Sequence, residues 1–326
     1  MAEAGAHGER VRLVVPDLVS NSYFPAVAAV GLGFTRDEGI DVGVELLYPV
    51  TKAARALQAG EITFLAGAAH APGHLTSGWQ DTELLLALAQ RVYWFLVVSP
   101  EHRSDGGLES LRDLTIAAAP GPDLALVELL TEAGGAPNER GIRLVPLPAT
   151  QGTQTSFGVS AAQALADGAV DAFWANGMGA RVAVLRGAGE ILYDARRDEV
   201  RRPTCTFPAL MTHAQTAAER PHLVSSMMRA VIRAQQALAE DPALAEDVAA
   251  EYFPAFEAGQ LRPLIESDAS YYDPRIDQRA VDELRALLLH AGLEPMSDDQ
   301  AARVLDRQLE VAELAGHPAG MEERGR

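Results

Sequence analysis

The sequence is poor in cysteine and in lysine. Cys205 is the single cysteine among 326 residues, which excludes a disulfide within the chain and any Cys-rich zinc or iron–sulfur site. Of the 27 basic residues only Lys52 is a lysine, and the other 26 are arginines. A GC-rich genome would favour arginine and explains the scarcity of lysine. It does not explain why one lysine is kept, so the position of Lys52 is of interest.

The chain also lacks an excess of positive charge and a long apolar run. Its formal net charge of -18 gives no basic footprint for nucleic acid or for an anionic membrane surface. No apolar run reaches the roughly 18 residues of a membrane span, so membrane insertion is not expected. Residues 1–12 are polar, with neither a signal sequence nor a lipid-anchoring cysteine. A cytoplasmic protein is expected, or a periplasmic or extracellular one if the chain is trimmed.

Apolar strands alternate with helical segments through the first two thirds of the chain. At about 150 residues per domain the length predicts two domains or lobes. Buried strands are predicted at 11–15, 42–47, 62–66, 84–89, 94–98, 114–118 and 142–147. Short helices between such strands predict a doubly wound, mostly parallel α/β sheet.

The later part of the chain repeats one phrase and then changes character. A helix end, a capping glycine and a strand occur at 56–64 and again at 164–172, which fits two similar lobes on either side of a cleft. Beyond residue 203, amphipathic helices are predicted at 217–239, 242–252, 279–291 and 298–315. Residues 316–326 are expected to form a disordered tail.

A series of short motifs, in order, resembles one known family. They are RLVVP at 12–16, YFPA at 23–26, LGF at 32–34, EGIDV at 38–42, AGEI at 59–62, LRDL at 111–114 and DGAVDA at 167–172. Together they resemble the NMT1/THI5-like branch of the type II periplasmic-binding-protein fold, over roughly residues 11–238.

The resemblance implies an α/β protein of two lobes with an interlobe cleft and an α-rich C-terminal segment. Residues 1–92 would begin the first lobe, 93–206 would form the second, and 207–315 would return to the first. The chain would cross between lobes near 91–97 and 205–211. Ligands of open α/β sheets bind beyond the carboxyl ends of the strands, where helix N-termini offer free N–H groups.

In the first lobe, three loops are predicted to face that cleft. The first loop offers polar and aromatic side chains for contact with a ligand, or alternatively only a cap for the helix that follows. The second loop holds the lone lysine. We expect Lys52 to contact a ligand anion or to take part in chemistry, the alternative being an ordinary surface residue. The third loop carries His70 and His74, with no further ligand nearby to complete a metal site. The candidates are Ser20, Asn21, Ser22, Tyr23, Tyr48, Thr51, Lys52 and His70.

The crossover and the second lobe supply the remaining candidates. Arg91 and Trp94 lie at the first crossing, and Trp94 could stack on a planar ligand or pack in the hinge. Ser156 and Phe157 lie in a polar loop, and Trp174 and Asn176 follow the repeated strand. The amide of Asn176 can bond both donors and acceptors of a heterocycle.

Two functions are compatible with these residues. The first is an ABC-transporter-type substrate-binding protein that holds a small polar or anionic, planar organic molecule and partners a permease. The alternative is a cytosolic enzyme on the same fold, resembling a decarboxylase, a desulfinase or a thiamine-pyrimidine synthase, with Lys52 and His70 as catalytic candidates. No cofactor is expected; pyridoxal phosphate could bind only through a Schiff base on Lys52. An anionic ligand would depend on Lys52, His70 and Arg91, because the overall charge is negative.

Overall fold

The computed structural model of the protein describes residues 10–103, 105–147, 156–202 and 204–316. Its strands are β1 (Val11–Val15), β2 (Val42–Leu46), β3 (Phe64–Ala68), β4 (Thr82–Ala87), β5 (Trp94–Val98), β6 (Thr115–Ala118), β7 (Arg143–Val145), β8 (Ala172–Asn176), β9 (Glu190–Asp194) and β10 (Pro208–His213). Its first seven helices are α1 (Phe24–Gly31), α2 (Phe34–Asp37), α3 (Val50–Gln58), α4 (Gly107–Ser110), α5 (Asp123–Gly134), α6 (Phe157–Ala166) and α7 (Gly177–Leu185). The others are α8 (Ala214–Glu219), α9 (Pro221–Glu240), α10 (Leu244–Tyr252), α11 (Ala255–Asp268), α12 (Gln278–His290) and α13 (Asp298–Leu314).

The strands form two five-stranded sheets, one in each lobe. The first sheet has the order β2-β1-β3-β10-β4 and the second the order β7-β6-β8-β5-β9. Strands β1, β2 and β3 are parallel, as are β6, β7 and β8, whereas β10 and β5 run antiparallel to their neighbours. The mixed α/β architecture with two lobes is therefore confirmed.

The antiparallel strands mark the two places where the chain changes lobe. It leaves the first sheet after β4 and enters the second as β5, and it returns between β9 and β10. Each strand that enters a sheet from the other lobe points the opposite way to the parallel strands beside it. The amino end of β5 therefore lies next to the carboxyl end of β8, with Trp94 opposite Asn176.

The central strands of both sheets are buried on both faces because helices cover them. All five residues of β3 and of β8 are buried. Their sequences, FLAGA and AFWAN, show no alternation of apolar and polar residues, as expected for central strands between two helix layers. On the first lobe, α9 packs against α1 and α2, and α13 packs against β4.

The C-terminal helices do more than return to the first lobe. Helix α11 packs against α7, and α12 packs against α5, both of which belong to the second lobe. Arg202 forms ion pairs with Glu128 and Glu132 of α5, and His290 of α12 also contacts Glu128. The C-terminal segment thus bridges both lobes.

Several elements differ from the sequence-based prediction. Helix α7, helix α11 and strand β9 were not predicted, and α6 begins at Phe157 where a long loop was expected. Glycines in the first turn of α7 and a proline within α11 lower intrinsic helix propensity, but packing against neighbouring helices outweighs that cost. The expected tail at 316–326 lies outside the described residues, except for Gly316.

Candidate functional site

A cavity lies between the lobes where strand ends from both sheets meet. It encloses about 440 Å³ of space between protein atoms, part of it open to solvent. Asp17 follows β1, Ala119 follows β6, Asn176 ends β8 and Trp94 begins β5. The residues that line it are Pro16, Asp17, Ser20, Ser22, Tyr23, Tyr48, Val50, Trp94, Ala119, Pro120, Pro122, Phe157, Trp174, Ala175 and Asn176.

Aromatic rings from both lobes form the walls of this cavity. Tyr48 of the first lobe and Phe157 of the second are stacked, with centroids 6.5 Å apart and planes 13° apart. The ring centroids of Trp94 and Trp174 lie 5.9 Å apart. The indole N–H of Trp174 donates to the Pro122 carbonyl at 3.1 Å. Burial raises the pKa of the Tyr48 hydroxyl to about 12, with Asp17 and Asp123 adding to the effect. Tyr48 therefore stays neutral and offers an O–H donor.

Asp17 is the charged residue of the lining, and it joins the two lobes. Its Oδ2 accepts hydrogen bonds from Ser156 Oγ and from Asn176 Nδ2, each at 3.0 Å. Asp17 belongs to the first lobe, whereas Ser156 and Asn176 belong to the second. This carboxylate therefore takes part directly in closing the cavity.

Both partners of Asp17 are helix N-caps. Ser156 caps α6 by accepting from the backbone N–H of Val159 at 3.4 Å, and Asn176 caps α7 by accepting from that of Gly179 at 3.1 Å. The first N–H groups of α6, at Phe157 and Gly158, also face Asp17 and lower its pKa. A helix N-terminus attracts negative charge, and here a protein carboxylate takes that position.

Burial nevertheless dominates the ionisation of Asp17. Loss of hydration raises its pKa from 3.8 to about 7, against the opposing hydrogen bonds from Ser156 and Asn176. No lysine, arginine or histidine of the described chain lies in the cavity lining, so no cation there offsets the cost of burying the carboxylate. Near neutral pH this carboxyl group therefore exchanges between its protonated and ionised forms.

Two fully buried polar atoms of the lining have no hydrogen-bond partner among the residues that the structure describes. They are Asp17 Oδ1 and Ser22 Oγ, and both are buried. A buried polar atom without a partner costs about 1–3 kcal/mol. One acceptor and one hydroxyl in the same cavity are thus left for a bound molecule.

The first predicted loop divides between the cavity and the scaffold. Ser20, Ser22 and Tyr23 line the cavity, and the Tyr23 hydroxyl lies 3.1 Å from that of Tyr93. The expected N-cap function of Ser22 is not observed, because Tyr23 is the N-cap of α1 and makes no side-chain cap.

Asn21 points away from the cavity. It donates to Asp268 at 2.7 Å and accepts from the Met178 N–H at 3.2 Å. Asp268 in turn pairs with Arg196. Asn21 therefore ties the first loop to α7 and α11.

His70 lies beside the cavity but is fully used by the protein. Its Nε2 donates to the Gly121 carbonyl at 2.8 Å, which requires the proton on Nε2, so Nδ1 accepts from Thr206 Oγ1 at 2.7 Å. Burial lowers its pKa to about 3, and the ring is neutral. Because both nitrogens are engaged and the side chain is buried, His70 holds the lobes together rather than facing the ligand space.

The other cations expected in the cleft also lie outside its lining. Lys52 is exposed on α3 and Thr51 is half-buried beside it, while Val50 of the same turn faces the cavity. Lys52 was expected in a loop, but α3 already begins at Val50, and Lys52 is exposed to solvent in its first turn. Arg91 donates to the Arg196 carbonyl at 3.1 Å and approaches Glu199. A Schiff base on Lys52 would therefore form on the surface of α3.

The single cysteine and the pair of His70 and His74 are not among the described residues that line the cavity. Cys205 is buried outside the cavity lining, and burial raises the pKa of its thiol to about 12. Among the residues that the structure describes, no three His, Cys, Asp or Glu side chains cluster closely enough to hold a metal ion. Within the same residues, no helix is both long and apolar enough to cross a membrane.

The sequence indicated fourteen candidate residues but did not single out Asp17, the central residue of the site. Of its fourteen candidates, eight line the cavity: Ser20, Ser22, Tyr23, Tyr48, Trp94, Phe157, Trp174 and Asn176. The signal for Asp17 was its place as the first polar residue after β1, a central strand of a mostly parallel sheet, where ligand-binding residues commonly lie.

Comparison with known proteins agrees with this architecture. Residues 20–245 match the family model described as NMT1/THI5 like. No curated protein sequence matches the chain significantly.

Among solved structures, the periplasmic nitrate-binding protein NrtA from Synechocystis PCC 6803 has a TM-score of 0.71 at 15% identity, over 94% of this chain and 89% of that one. A putative periplasmic sulfonate-binding protein SsuA from Methylobacillus flagellatus KT has a TM-score of 0.65 at 18% identity, over 97% and 99%. The desulfurization enzyme DszB has a TM-score of 0.59 at 17% identity, over 92% and 99%. At such identities the likeness establishes the fold alone.

Proposed function

The chain belongs to the NMT1/THI5-like family, and on that premise we propose that it binds a small, polar, planar organic molecule between its lobes, as the substrate-binding component of an ABC-type importer. The molecule would be enclosed in the cavity around Asp17. Rotation of the lobes about the two crossings would open and close that cavity.

The observation that carries this proposal is the composition of the cavity. Flat aromatic walls from both lobes surround a few convergent polar groups, which is the usual construction of a small-molecule site. Asp17 Oδ1 and Ser22 Oγ lack protein partners, so a ligand that bonds them would relieve a cost already present in the closed protein.

Structural neighbours support the transport context. The periplasmic nitrate-binding and sulfonate-binding proteins share the fold over nearly the whole chain. An ABC permease is accordingly the proposed protein partner. This context requires the protein to act outside the cytoplasmic membrane, whereas the sequence led us to expect a cytoplasmic location. Immunoblotting of fractionated cells of the source organism would decide between the two.

The first test is native mass spectrometry of the protein purified from its own organism. We expect a bound small molecule in wild type and in Lys52→Ala, which lies outside the cavity. The Phe157→Ala and Trp174→Ala variants, which remove cavity walls, should lose it. A protein that carries no ligand, and that binds none across a panel of small amines, amides, carboxylates and sulfonates in calorimetry, would contradict the proposal.

Turnover must be measured on the same panel. Product formation at a rate dependent on Asp17 would favour an enzyme on this fold, the alternative raised by the sequence and by the likeness to DszB. Tight binding without turnover would support the binding protein.

A further inference from the structure

The positive charge that an anionic ligand needs is absent from this cavity. Among the residues that the structure describes, the lining holds one carboxyl group and no lysine, arginine or histidine. Ionisable groups near the lining include Asp123, whose charge affects the pKa of Tyr48, and two histidines, His70 and His74, whose pKa values are lowered by burial. An added anion would therefore meet Asp17 and Asp123 without a compensating cation.

The donors that could replace such a cation are already occupied. Helix N-termini and capping side chains commonly bind anions in open α/β folds. Here Ser156 Oγ and Asn176 Nδ2 donate to Asp17, and the first N–H groups of α6 face the same carboxylate. Asp17 thus occupies the anion position at the start of α6, and it presents its other oxygen, Oδ1, without a partner.

The remaining surface of the cavity is aromatic. Tyr23, Tyr48, Trp94, Phe157 and Trp174 all contribute to the lining. Aromatic faces attract cations through the ring quadrupole, most strongly where water is excluded. A carboxylate with a free oxygen, set among aromatic rings, is complementary to a positively charged nitrogen on a flat organic body.

We propose that the ligand of this cavity is a small planar organic cation, of the protonated amine or amidine class, whose nitrogen donates to Asp17 Oδ1 between the aromatic walls. This proposal rests on the proposed binding function and names its substrate class. Ser22 Oγ, the second unpartnered atom, would accept a further N–H of the same group.

The test uses three isosteric probes that differ in charge: benzamidinium, benzamide and benzoate. Calorimetry on wild type should show benzamidinium binding at least about tenfold more tightly than benzamide, as charge-assisted hydrogen bonds exceed neutral ones. Benzoate should be the weakest. Asp17→Asn should remove the preference for the cation, and Asp299→Asn, at an exposed carboxylate in the first turn of α13, should keep it.

Two further measurements protect the test against a variant that fails to fold. Ser22→Ala should weaken benzamidinium and leave benzoate unchanged. Wild type titrated in two buffers of different ionisation enthalpy near pH 6.5 should release protons when benzamidinium binds, because the cation favours the ionised form of Asp17.

The outcomes separate the ligand class from the binding function. Tighter binding of benzoate, or benzamidinium binding that is unchanged in Asp17→Asn, would overturn the cation proposal and leave a binding protein. If none of the probes binds, the charge of the molecule found by native mass spectrometry decides: a cation lost in Asp17→Asn supports the proposal, and an anion overturns it. A wild-type protein empty in every assay would remove the binding function and the cation proposal together.

Discussion

Asp17 and Asn176 belong to different lobes and are joined by a hydrogen bond of 3.0 Å from Nδ2 to Oδ2. The same amide caps α7 through its Oδ1, which accepts from the Gly179 N–H at 3.1 Å. One side chain therefore both begins a helix and holds the cavity closed. Changes at this position can separate the two functions.

We expect Asn176→Asp to open the lobes more than Asn176→Ala does. The aspartate keeps the cap of α7 but places a second carboxylate against Asp17, whereas alanine loses the cap at a cost of about 1 kcal/mol without adding charge. Small-angle scattering at pH 8 should show the larger radius of gyration for Asn176→Asp. Asn138→Ala, an exposed asparagine of the second lobe, serves as control. Equal radii of gyration for all these proteins would contradict the proposal that the hydrogen bond between Asp17 and Asn176 holds the lobes together.

Stability should depend on pH through Asp17. Its folded pKa of about 7 lies above the ordinary value of 3.8, so its contribution to stability is fully present below pH 4 and is lost as pH rises through 7. At about 1.4 kcal/mol for each pKa unit, the ceiling is of order 4 kcal/mol. Urea unfolding of wild type and Asp17→Asn should therefore converge towards pH 4 and diverge towards pH 8, with wild type falling relative to the variant. A difference that does not change with pH would refute the assignment.

His70 should stabilise the contact between the lobes with a pH dependence opposite to that of Asp17. Its pKa of about 3 lies below the ordinary 6.5, so the stability that it contributes is present above pH 6.5 and is lost as pH falls. Thr206→Val leaves Nδ1 without its donor and should cost about 1–3 kcal/mol at pH 7. Thr131→Val, at an exposed hydroxyl bonded within α5, should change stability by less than about 0.5 kcal/mol. Denaturant titrations would compare the free energies of unfolding of the two threonine variants. Equal losses of stability would count against a stabilising contact between His70 and Thr206.

Two glycines allow α6 and α7 to approach each other at the cavity. A Cβ built on Gly179 would lie 2.7 Å from Gly158 Cα and from its carbonyl oxygen. Gly179→Ala must move one helix, and we expect a loss of about 1–3 kcal/mol together with weaker ligand binding. Gly259→Ala in α11 meets nothing within 4 Å and should gain up to about 1 kcal/mol from helix propensity. Thermal unfolding distinguishes them, and a neutral Gly179→Ala would show that the contact can relax.

Lys52 provides the simplest test of the cavity. The sequence suggested that Lys52→Ala would weaken ligand binding, but the exposed position of this residue outside the lining predicts unchanged affinity. Calorimetry with whichever ligand the protein binds would check this, with Phe157→Ala as the variant that should lose affinity. A clear loss in Lys52→Ala would mean that the lobes close further around the ligand than they do in this structure.

The sequence by itself determined most of the strands, the alternation of strands and helices, and hence the two-lobed α/β class. These follow from local patterns, since a buried strand such as FLAGA at β3 reads as a continuous apolar run wherever it lies. Aromatic and polar residues that follow strands, such as Trp174 and Asn176, were also recognisable, because parallel strands deliver their next residues to a common edge.

Only the tertiary structure decided which charges face the cavity. The start of α3 at Val50 turned Lys52 to solvent, and docking of the two lobes enclosed His70 between Gly121 and Thr206. Asp17 gained its role from Ser156 and Asn176, which are 139 and 159 residues away along the chain. Burial and hydrogen bonding between such distant residues depend on how the lobes pack, and no local pattern encodes them. The residue at the centre of the cavity is therefore a buried carboxyl group, and not the lone lysine that the sequence emphasised.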